Sequence, residues 1–166
     1  MRRFVGFLML SLGISAFVSL ASAQLPPLID REVFFGNPEY AGAQISPDGK
    51  YISFIKPLNG TMNIWVKGFD EPFSAARPMT NDQKRPVRSY FWSRDSKYIM
   101  FVQDNGGDEN FNVYAVNPAD KPATDSPVPT ARNITAGQKV AVQIVGIPKT
   151  DPDAIFVSSD NTALPR

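Results

Sequence analysis

Hydrophobic and polar positions along this chain alternate in short runs, and each run is bounded by residues typical of turns. Two of the runs repeat each other: residues 45–55 read ISPDGKYISFI, and residues 92–102 read WSRDSKYIMFV. A second pair, ARPMT at 76–80 and ARNIT at 131–135, recurs further along each unit. Internal repeats of about 40–50 residues with several strands in each are typical of a β-propeller.

The first repeat unit, placed at about 43–80, begins with a tight turn. Pro47 presets its own φ for such a turn, and Gly49 can adopt a positive φ. The elements expected after it are a strand at 51–55, a hairpin turn at 58–61, a return strand at 63–66 and a passage to the next unit at 76–80. The hairpin is indicated by its Asn-Gly pair, a strong local signal for a two-residue turn.

The second unit, at about 81–135, predicts the same order of elements. They are a strand at 90–92, a turn at 93–96, a strand at 98–103, a hairpin at 104–107, a return strand at 112–116 and a long loop at 118–129. Ser96 stands where the first unit has Gly49. Because serine rarely adopts a positive φ, we expect a turn type that does not require one at this residue.

A third unit, at about 136–166, starts and stops before its hairpin partner strand. It predicts strands at 140–145 and 155–158, with Asp160 and Asn161 at the position of a hairpin turn. The sequence therefore predicts an all-β fold, an incomplete β-propeller of about three four-stranded antiparallel blades.

Four aromatic residues on the predicted strands have two interpretations. They are Trp65, Tyr90, Phe91 and Trp92. They could line a ligand groove, but their place on alternating strands favours packing between blades.

The segment before the repeats is expected to be removed and not to fold. Residues 1–23 have a positive start, an apolar run and an Ala-Ser-Ala site, which predicts a signal peptide cleaved before Gln24. The protein would then be exported, periplasmic or secreted, with no membrane contact after cleavage. An uncleaved membrane anchor is the alternative, since the apolar run approaches spanning length. Residues 24–42 form a lead-in, in which 28–35 suit a short amphipathic helical turn docked on the first blade.

Composition excludes several classes of site. The whole chain carries 17 basic and 16 acidic residues, and the signal segment takes two arginines, so the mature part has no basic excess to attract nucleic acid. Cysteine and histidine are both absent, which removes a disulfide framework and the usual zinc ligand sets. We expect no cofactor and no metal.

Four segments give the chain a resemblance to the prolyl oligopeptidase family of serine peptidases, in its dipeptidyl-peptidase and acylaminoacyl-peptidase-like branch. They are SPDGKYI at 46–52, YFWSRDSKYI at 90–99, QDNGGDEN at 103–110 and DPDAIFVS at 151–158. The resemblance covers most of 28–161. The Ser-Pro-Asp-Gly element is also used by TolB-like periplasmic propellers, so the stretch at 103–110 is the more specific part.

The resemblance implies a propeller that covers an α/β-hydrolase domain and admits only short peptides to it. The catalytic serine of that family lies in a G-x-S-x-G turn and works with Asp and His. These 166 residues contain neither that motif nor a histidine to accept the serine proton. We therefore expect the N-terminal propeller portion of such a peptidase, inactive alone and binding peptide only when joined to a catalytic domain.

Two other interpretations remain open at this point. One is a TolB-like periplasmic module that binds a protein partner. Three blades leave exposed sheet edges, which favour self-association. The other is a degenerate remnant without function.

One dense polar cluster, formed by Asp104, Asp108, Glu109 and Asn110, is the candidate site. Some members of the family bind the N-terminal ammonium of a peptide with propeller glutamates, which permits this role for Glu109, with Asp108 beside it. The alternative is that Asp104 and the two glycines make the turn while Asp108 and Glu109 are solvated. The carboxylate spacing does not match an EF-hand calcium loop.

Asp48 and Asp95 occupy equivalent positions in the first two units. They could suggest an acid–base pair. Recurrence in each unit points instead to capping of the turn by the carboxylate.

Overall fold

Three antiparallel sheets make up nearly all of the regular structure in the computed structural model, which describes residues 26–135 and 141–160. A five-residue helix, α1 (Arg31–Phe35), precedes them. The first sheet contains β1 (Ala41–Ile45), β2 (Tyr51–Leu58), β3 (Thr61–Gly68) and β4 (Arg77–Pro78). The second contains β5 (Tyr90–Trp92), β6 (Ile99–Gln103), β7 (Asn112–Val116) and β8 (Arg132–Asn133), and the third pairs β9 (Val142–Gly146) with β10 (Phe156–Ser159). In both four-stranded sheets the spatial order follows the chain order, as in propeller blades.

This arrangement confirms the prediction of an all-β, incomplete propeller. The third sheet has two strands within the described residues. Residue 140, at the predicted start of its first strand, and Asn161, in its predicted hairpin, lie outside the described residues, as does the predicted signal peptide at 1–23. No helix among residues 26–135 and 141–160 has the length and hydropathy of a membrane span.

The predicted turns of the first sheet are confirmed by their backbone angles. Gly49 has a φ of 74°, as its place in the turn before β2 requires. Asn59 and Gly60 have φ values of 51° and 85° and join β2 directly to β3. Positive φ at both central residues is the mark of the type I′ hairpin, whose twist matches that of the strands.

The turn before β6 contradicts the prediction made for Ser96. Its φ is 63°, so the serine adopts the same left-handed conformation as Gly49. The physical reason is the turn itself, because Ser96 N bonds to the Ser93 carbonyl as Gly49 N bonds to the Ser46 carbonyl. The Ser96 hydroxyl also accepts a hydrogen bond of 2.9 Å from the backbone N–H of Asp48 in the neighbouring blade. A non-glycine residue in this region is strained by roughly 1–2 kcal/mol, and this hydrogen bond offsets part of that strain.

The prediction that 76–80 is a passage between units is wrong at Arg77 and Pro78, which form a strand. Arg77 and Pro78 pair with Val66 and Trp65 to form β4, the last strand of the first sheet. A two-residue strand is too short to show an alternating pattern, which explains why the sequence did not reveal it.

The hydrophobic core lies where the first sheet packs on the second. Its fully buried members are Ile64, Val66, Met79, Val87, Ile99 and Val116. Aromatic side chains of β5 extend across this boundary: Trp92 Nε1 donates to Ser53 Oγ at 2.8 Å, and the Tyr90 hydroxyl donates to the Gly42 carbonyl at 2.7 Å. The prediction of inter-blade packing is therefore confirmed for Tyr90 and Trp92.

The lead-in helix α1 forms as predicted but does not dock. The Asp30 carboxylate accepts a hydrogen bond from Glu32 N at 2.9 Å and caps its start. None of its residues is buried, and Val33, Phe34 and Phe35 are each more than 60% exposed. The expected packing of this helix on the first blade is wrong.

Candidate functional site

The four predicted site residues lie on one loop, residues 104–111, which joins β6 to β7. We call this loop the β6–β7 hairpin. It lies at the end of the second sheet opposite the turn that precedes β6. Gly106 and Gly107, with φ values of 67° and 101°, let the chain reverse within it.

The outer part of the β6–β7 hairpin is organised by Asp108. One oxygen of its carboxylate accepts hydrogen bonds from the backbone N–H groups of Asn105 and Asn110, each at 3.0 Å. Hydrogen bonding from Asn110, first from its side chain and then from its backbone, lowers the pKa of Asp108. Asp108 is thus a turn residue that stays ionised at neutral pH.

Glu109 stands beside it with a φ of 60° and an exposed side chain. Within residues 26–135 and 141–160, no hydrogen bond or ion pair to its carboxylate is found. The structure therefore places Asp108 as a loop support and leaves Glu109 accessible to a ligand.

Asp104 begins the hairpin loop, as the alternative interpretation assigned, but it also has a partner outside the turn. Its side chain is 4% exposed, and its Oδ2 lies 3.4 Å from Nη2 of Arg85. Arg85 belongs to the connection between the first and second sheets, residues 79–89. This partner could not be predicted from the sequence, because nothing about a lone arginine indicates which carboxylate it will meet in the fold.

A second carboxylate, Asp82, holds that connection in shape. Its Oδ1 accepts the backbone N–H of Lys84 at 2.8 Å and of Arg85 at 2.6 Å. Its Oδ2 accepts from Gln103 Nε2 at 2.9 Å, and the same Gln103 nitrogen donates to the Arg85 carbonyl at 3.3 Å. Gln103 is the last residue of β6, so the strand end and the connection are tied together.

Buried asparagines anchor the network to the sheets. Asn63 is fully buried in β3, and its Oδ1 accepts from the Thr80 hydroxyl at 2.9 Å and from Asp82 N at 2.8 Å. In the second sheet, Asn112 Oδ1 accepts from the Thr135 hydroxyl at 2.9 Å. The two threonines end the repeated segments ARPMT and ARNIT, so the repeat preserves this Asn–Thr bond.

Two pockets adjoin the Asp104 side chain. The larger, about 370 Å³, has an apolar floor that includes Met79, Val87 and Phe101, and it includes Asp82 among its polar residues. The smaller, about 100 Å³, is lined by Arg85, Phe111 and five further residues. Phe91, one of the predicted groove aromatics, instead lines a separate pocket of about 430 Å³ between the second and third sheets.

Within the described ranges no group of three or more His, Cys, Asp or Glu residues is arranged to hold a metal ion. The site consists of carboxylates, amides and guanidinium groups. Such groups bind ammonium, carboxylate or backbone groups of a peptide by charge and hydrogen bonding.

Asp48 and Asp95 cap their turns, as predicted. Asp48 Oδ1 accepts from the Ser46 hydroxyl at 2.7 Å and from Lys50 N at 3.2 Å. The Ser46 hydrogen bond is the main cause that lowers the pKa of Asp48 from 3.8 to about 2. The equivalent bond from Ser93, at 2.6 Å, lowers the pKa of Asp95. Two carboxyls that both favour the ionised form do not make an acid–base pair.

Comparison with known proteins finds relatives of this chain. No protein-family model matches the chain. Dipeptidyl aminopeptidase BIII of Pseudoxanthomonas mexicana is 40% identical over 134 residues, which are 81% of this chain and 18% of that protein. Dipeptidyl peptidase family member 6 of Caenorhabditis elegans is 35% identical over 91 residues, 54% of this chain and 12% of that protein. The chain spans less than a fifth of the length of the curated relatives it matches.

Proposed function

Because the chain belongs to a dipeptidyl-peptidase-like family, we propose that it is the propeller part of an exported serine peptidase of this kind. The observation that carries the proposal is the 40% identity over 134 residues, together with sheets ordered as propeller blades. In the proposal, the serine and histidine of the catalytic site lie outside these 166 residues, which contain no histidine. The whole protein would release dipeptides from the amino ends of short peptides.

The propeller would act as the gate of that peptidase. Rigid blades that leave only narrow access exclude folded proteins and admit extended peptides. The hydrogen bonds between the first two sheets, from Trp92 to Ser53 and from Tyr90 to Gly42, support this role because they oppose sliding of the blades.

Glu109 is proposed to bind the ammonium group of the peptide. An enzyme that removes two residues must measure from the free amino end, and a carboxylate at a fixed place provides the reference point. Glu109 is exposed and ends a turn supported by Asp108. A charge-assisted hydrogen bond to an ammonium is roughly twice as strong as a neutral one, which suits recognition of a small group.

The test compares two proteins, the 166-residue chain and the complete product of its reading frame. Both are assayed for release of p-nitroaniline from dipeptidyl p-nitroanilides with a free amino group. We expect hydrolysis by the complete product, blocked by a serine-directed inhibitor, and none by the 166-residue chain. Hydrolysis by the chain alone that resists the inhibitor would overturn the proposal.

The ammonium role is tested in the complete product with Glu109→Gln, using Glu39→Gln as the matched control. We expect the first variant to raise KM for the free-amino substrate about tenfold or more, equal to about 1.4 kcal/mol, and the control to leave it unchanged. Equal kinetics for the two variants would reject this role.

Amino-terminal sequencing of the exported protein tests the predicted start at Gln24.

A further inference from the structure

Two segments far apart in the sequence meet at the candidate site, and one ion pair joins them. Arg85 Nη2 lies 3.4 Å from Asp104 Oδ2, and the Asp104 side chain is 4% exposed while that of Arg85 is 42% exposed. Removing the guanidinium would leave a buried carboxylate without its cation, which is costly for the folded loop. The pair therefore ties the start of the β6–β7 hairpin to the connection between the sheets.

The Arg85 guanidinium also lies beside the middle of the same hairpin. Gly107 has a φ of 101°, and a Cβ placed on it would stand 3.5 Å from Arg85 Nη2 and 3.6 Å from its Cζ and Nε. A side chain at this position would therefore press against the guanidinium, and glycine leaves that space open. A Cβ placed on the neighbouring Gly106 would stand 3.9 Å from Lys84 Cδ.

The arginine itself stands on a fixed base. Its backbone N–H donates to Asp82 Oδ1 at 2.6 Å, and its carbonyl accepts from Gln103 Nε2 at 3.3 Å. Asp82 is in turn bonded through its own N–H to the fully buried Asn63 at 2.8 Å. A continuous set of hydrogen bonds therefore runs from the core of the first sheet to Arg85.

We propose that Arg85 is a positioning residue that fixes the β6–β7 hairpin, and with it Glu109, at the place where the peptide ammonium binds. This inference rests on the proposed function for its substrate, but its structural part concerns the chain alone. Glu109 lies five residues from Asp104 on the same short loop, so the ion pair from Arg85 to Asp104 anchors the start of the loop that carries it. Positioning within a few tenths of an ångström decides how well a charged group binds a small ligand.

The structural part is tested by hydrogen exchange on the 166-residue chain. The amides of Asn105 and Asn110, which donate to Asp108, report whether the β6–β7 hairpin keeps its shape. In Arg85→Ala we expect them to exchange about fivefold faster or more, while core amides of β3 and β7 stay protected. Arg88→Ala is the matched control, because Arg88 lies on the same connection and is exposed, and we expect it to change nothing.

Arg85→Lys provides the second variant. Lysine keeps the charge that pairs with the Asp104 carboxylate but loses the planar fork of donors, so we expect intermediate exchange. If Arg85→Ala fails to fold, raised exchange confined to the hairpin in Arg85→Lys still supports the inference. Unchanged exchange at Asn105 and Asn110 in every folded Arg85 variant would overturn it.

The functional part is tested by kinetics of the complete product. We expect Arg85→Ala to raise KM for the free-amino dipeptidyl substrate about fivefold, with kcat changed less than about twofold and with partial rescue by Arg85→Lys. Asp104→Asn should also raise KM. The variant that combines Arg85→Ala with Asp104→Asn should have a KM no higher than that of the more impaired single variant.

The outcomes separate the two ideas. If Glu109→Gln leaves KM unchanged, the ammonium role fails, and the exchange result alone then judges whether Arg85 fixes the hairpin. If Glu109→Gln raises KM and Arg85→Ala loosens the hairpin without raising KM, the positioning role of Arg85 is rejected.

Discussion

Replacing Asn63 by alanine should destabilise this chain more than any exposed substitution, because one buried amide makes four hydrogen bonds. Its Nδ2 donates to the carbonyls of Thr61 and Asp82, each at 3.0 Å, and its Oδ1 accepts from Thr80 and from Asp82 N. A net contribution of about 1 kcal/mol for each bond sets an upper value of about 4 kcal/mol. Thr61 and Asp82 are only half-buried, so water replaces part of the loss. The expected cost is about 2–4 kcal/mol.

Urea unfolding of the 166-residue chain measures this cost. The two tryptophans, Trp65 and Trp92, both lie in described strands and report unfolding by fluorescence. With a urea dependence of about 2 kcal/mol per molar, the midpoint should fall by about 1–2 M. Thr80→Ser keeps the hydroxyl that bonds Asn63 and is the matched control, with an expected loss below about 1 kcal/mol.

A loss below about 1 kcal/mol for Asn63→Ala would refute the reasoning. It would mean that Asp82 and the connection at 79–89 keep their shape without the buried amide of Asn63. An equal loss for Thr80→Ser would refute it as well, because the effect would then come from packing and not from the hydrogen bonds.

Three further predictions follow from other contacts. Ser96→Ala keeps the strained φ and loses the hydrogen bond from Asp48, so it should lower the free energy of unfolding by about 1–2 kcal/mol. Ser96→Gly loses the same bond but relieves the strain, so it should be nearly neutral. Equal urea midpoints for the two variants would contradict this. Because the pKa of Asp48 is lowered to about 2 and that of Asp95 is also lowered, their stabilisation is complete above about pH 4 and is lost as the pH falls towards 2. Melting temperature plotted from pH 5 to 2 should therefore fall less steeply in Asp48→Asn than in the unchanged chain, and parallel curves would rule this out. Lys67 is 4% exposed, and its Nζ donates to three backbone carbonyls at 2.7–2.9 Å. Lys67→Met should therefore lower the free energy of unfolding in urea by about 2–4 kcal/mol. A loss under about 1 kcal/mol would show that water replaces the ammonium.

Local signals explain why the turns and hairpins could be predicted from the sequence. Asn59-Gly60 and Gly49 have backbone angles that few other residues adopt easily, so the residue types themselves reveal the conformation. The short apolar runs likewise placed β2, β6 and β7, in each of which consecutive residues are buried, so that side chains on both faces of the strand are covered. These features depend on residues close together in the chain.

Contacts between distant residues explain what the sequence did not reveal. The hydrogen bond that the Ser96 hydroxyl accepts comes from Asp48 in the preceding unit, and the buried Asp104 carboxylate is paired with Arg85. Nothing in the sequence distinguishes Asn63 from an exposed polar residue, because its partners Thr80 and Asp82 are 17 and 19 residues away. The candidate site was located by its acidic residues, but Arg85, Asp82 and the amides that hold it in place from other segments have no motif of their own.

The bond from Asp48 to Ser96 makes the two repeats unequal, although their turns share one backbone conformation. The Ser96 hydroxyl accepts across the boundary between the blades, so it serves the preceding unit. A copy of the first unit inserted in second place would bring glycine there, which relieves the strained φ and removes the acceptor of the Asp48 N–H. Exchanging the units would therefore change stability little at this position but would remove one hydrogen bond between neighbouring blades.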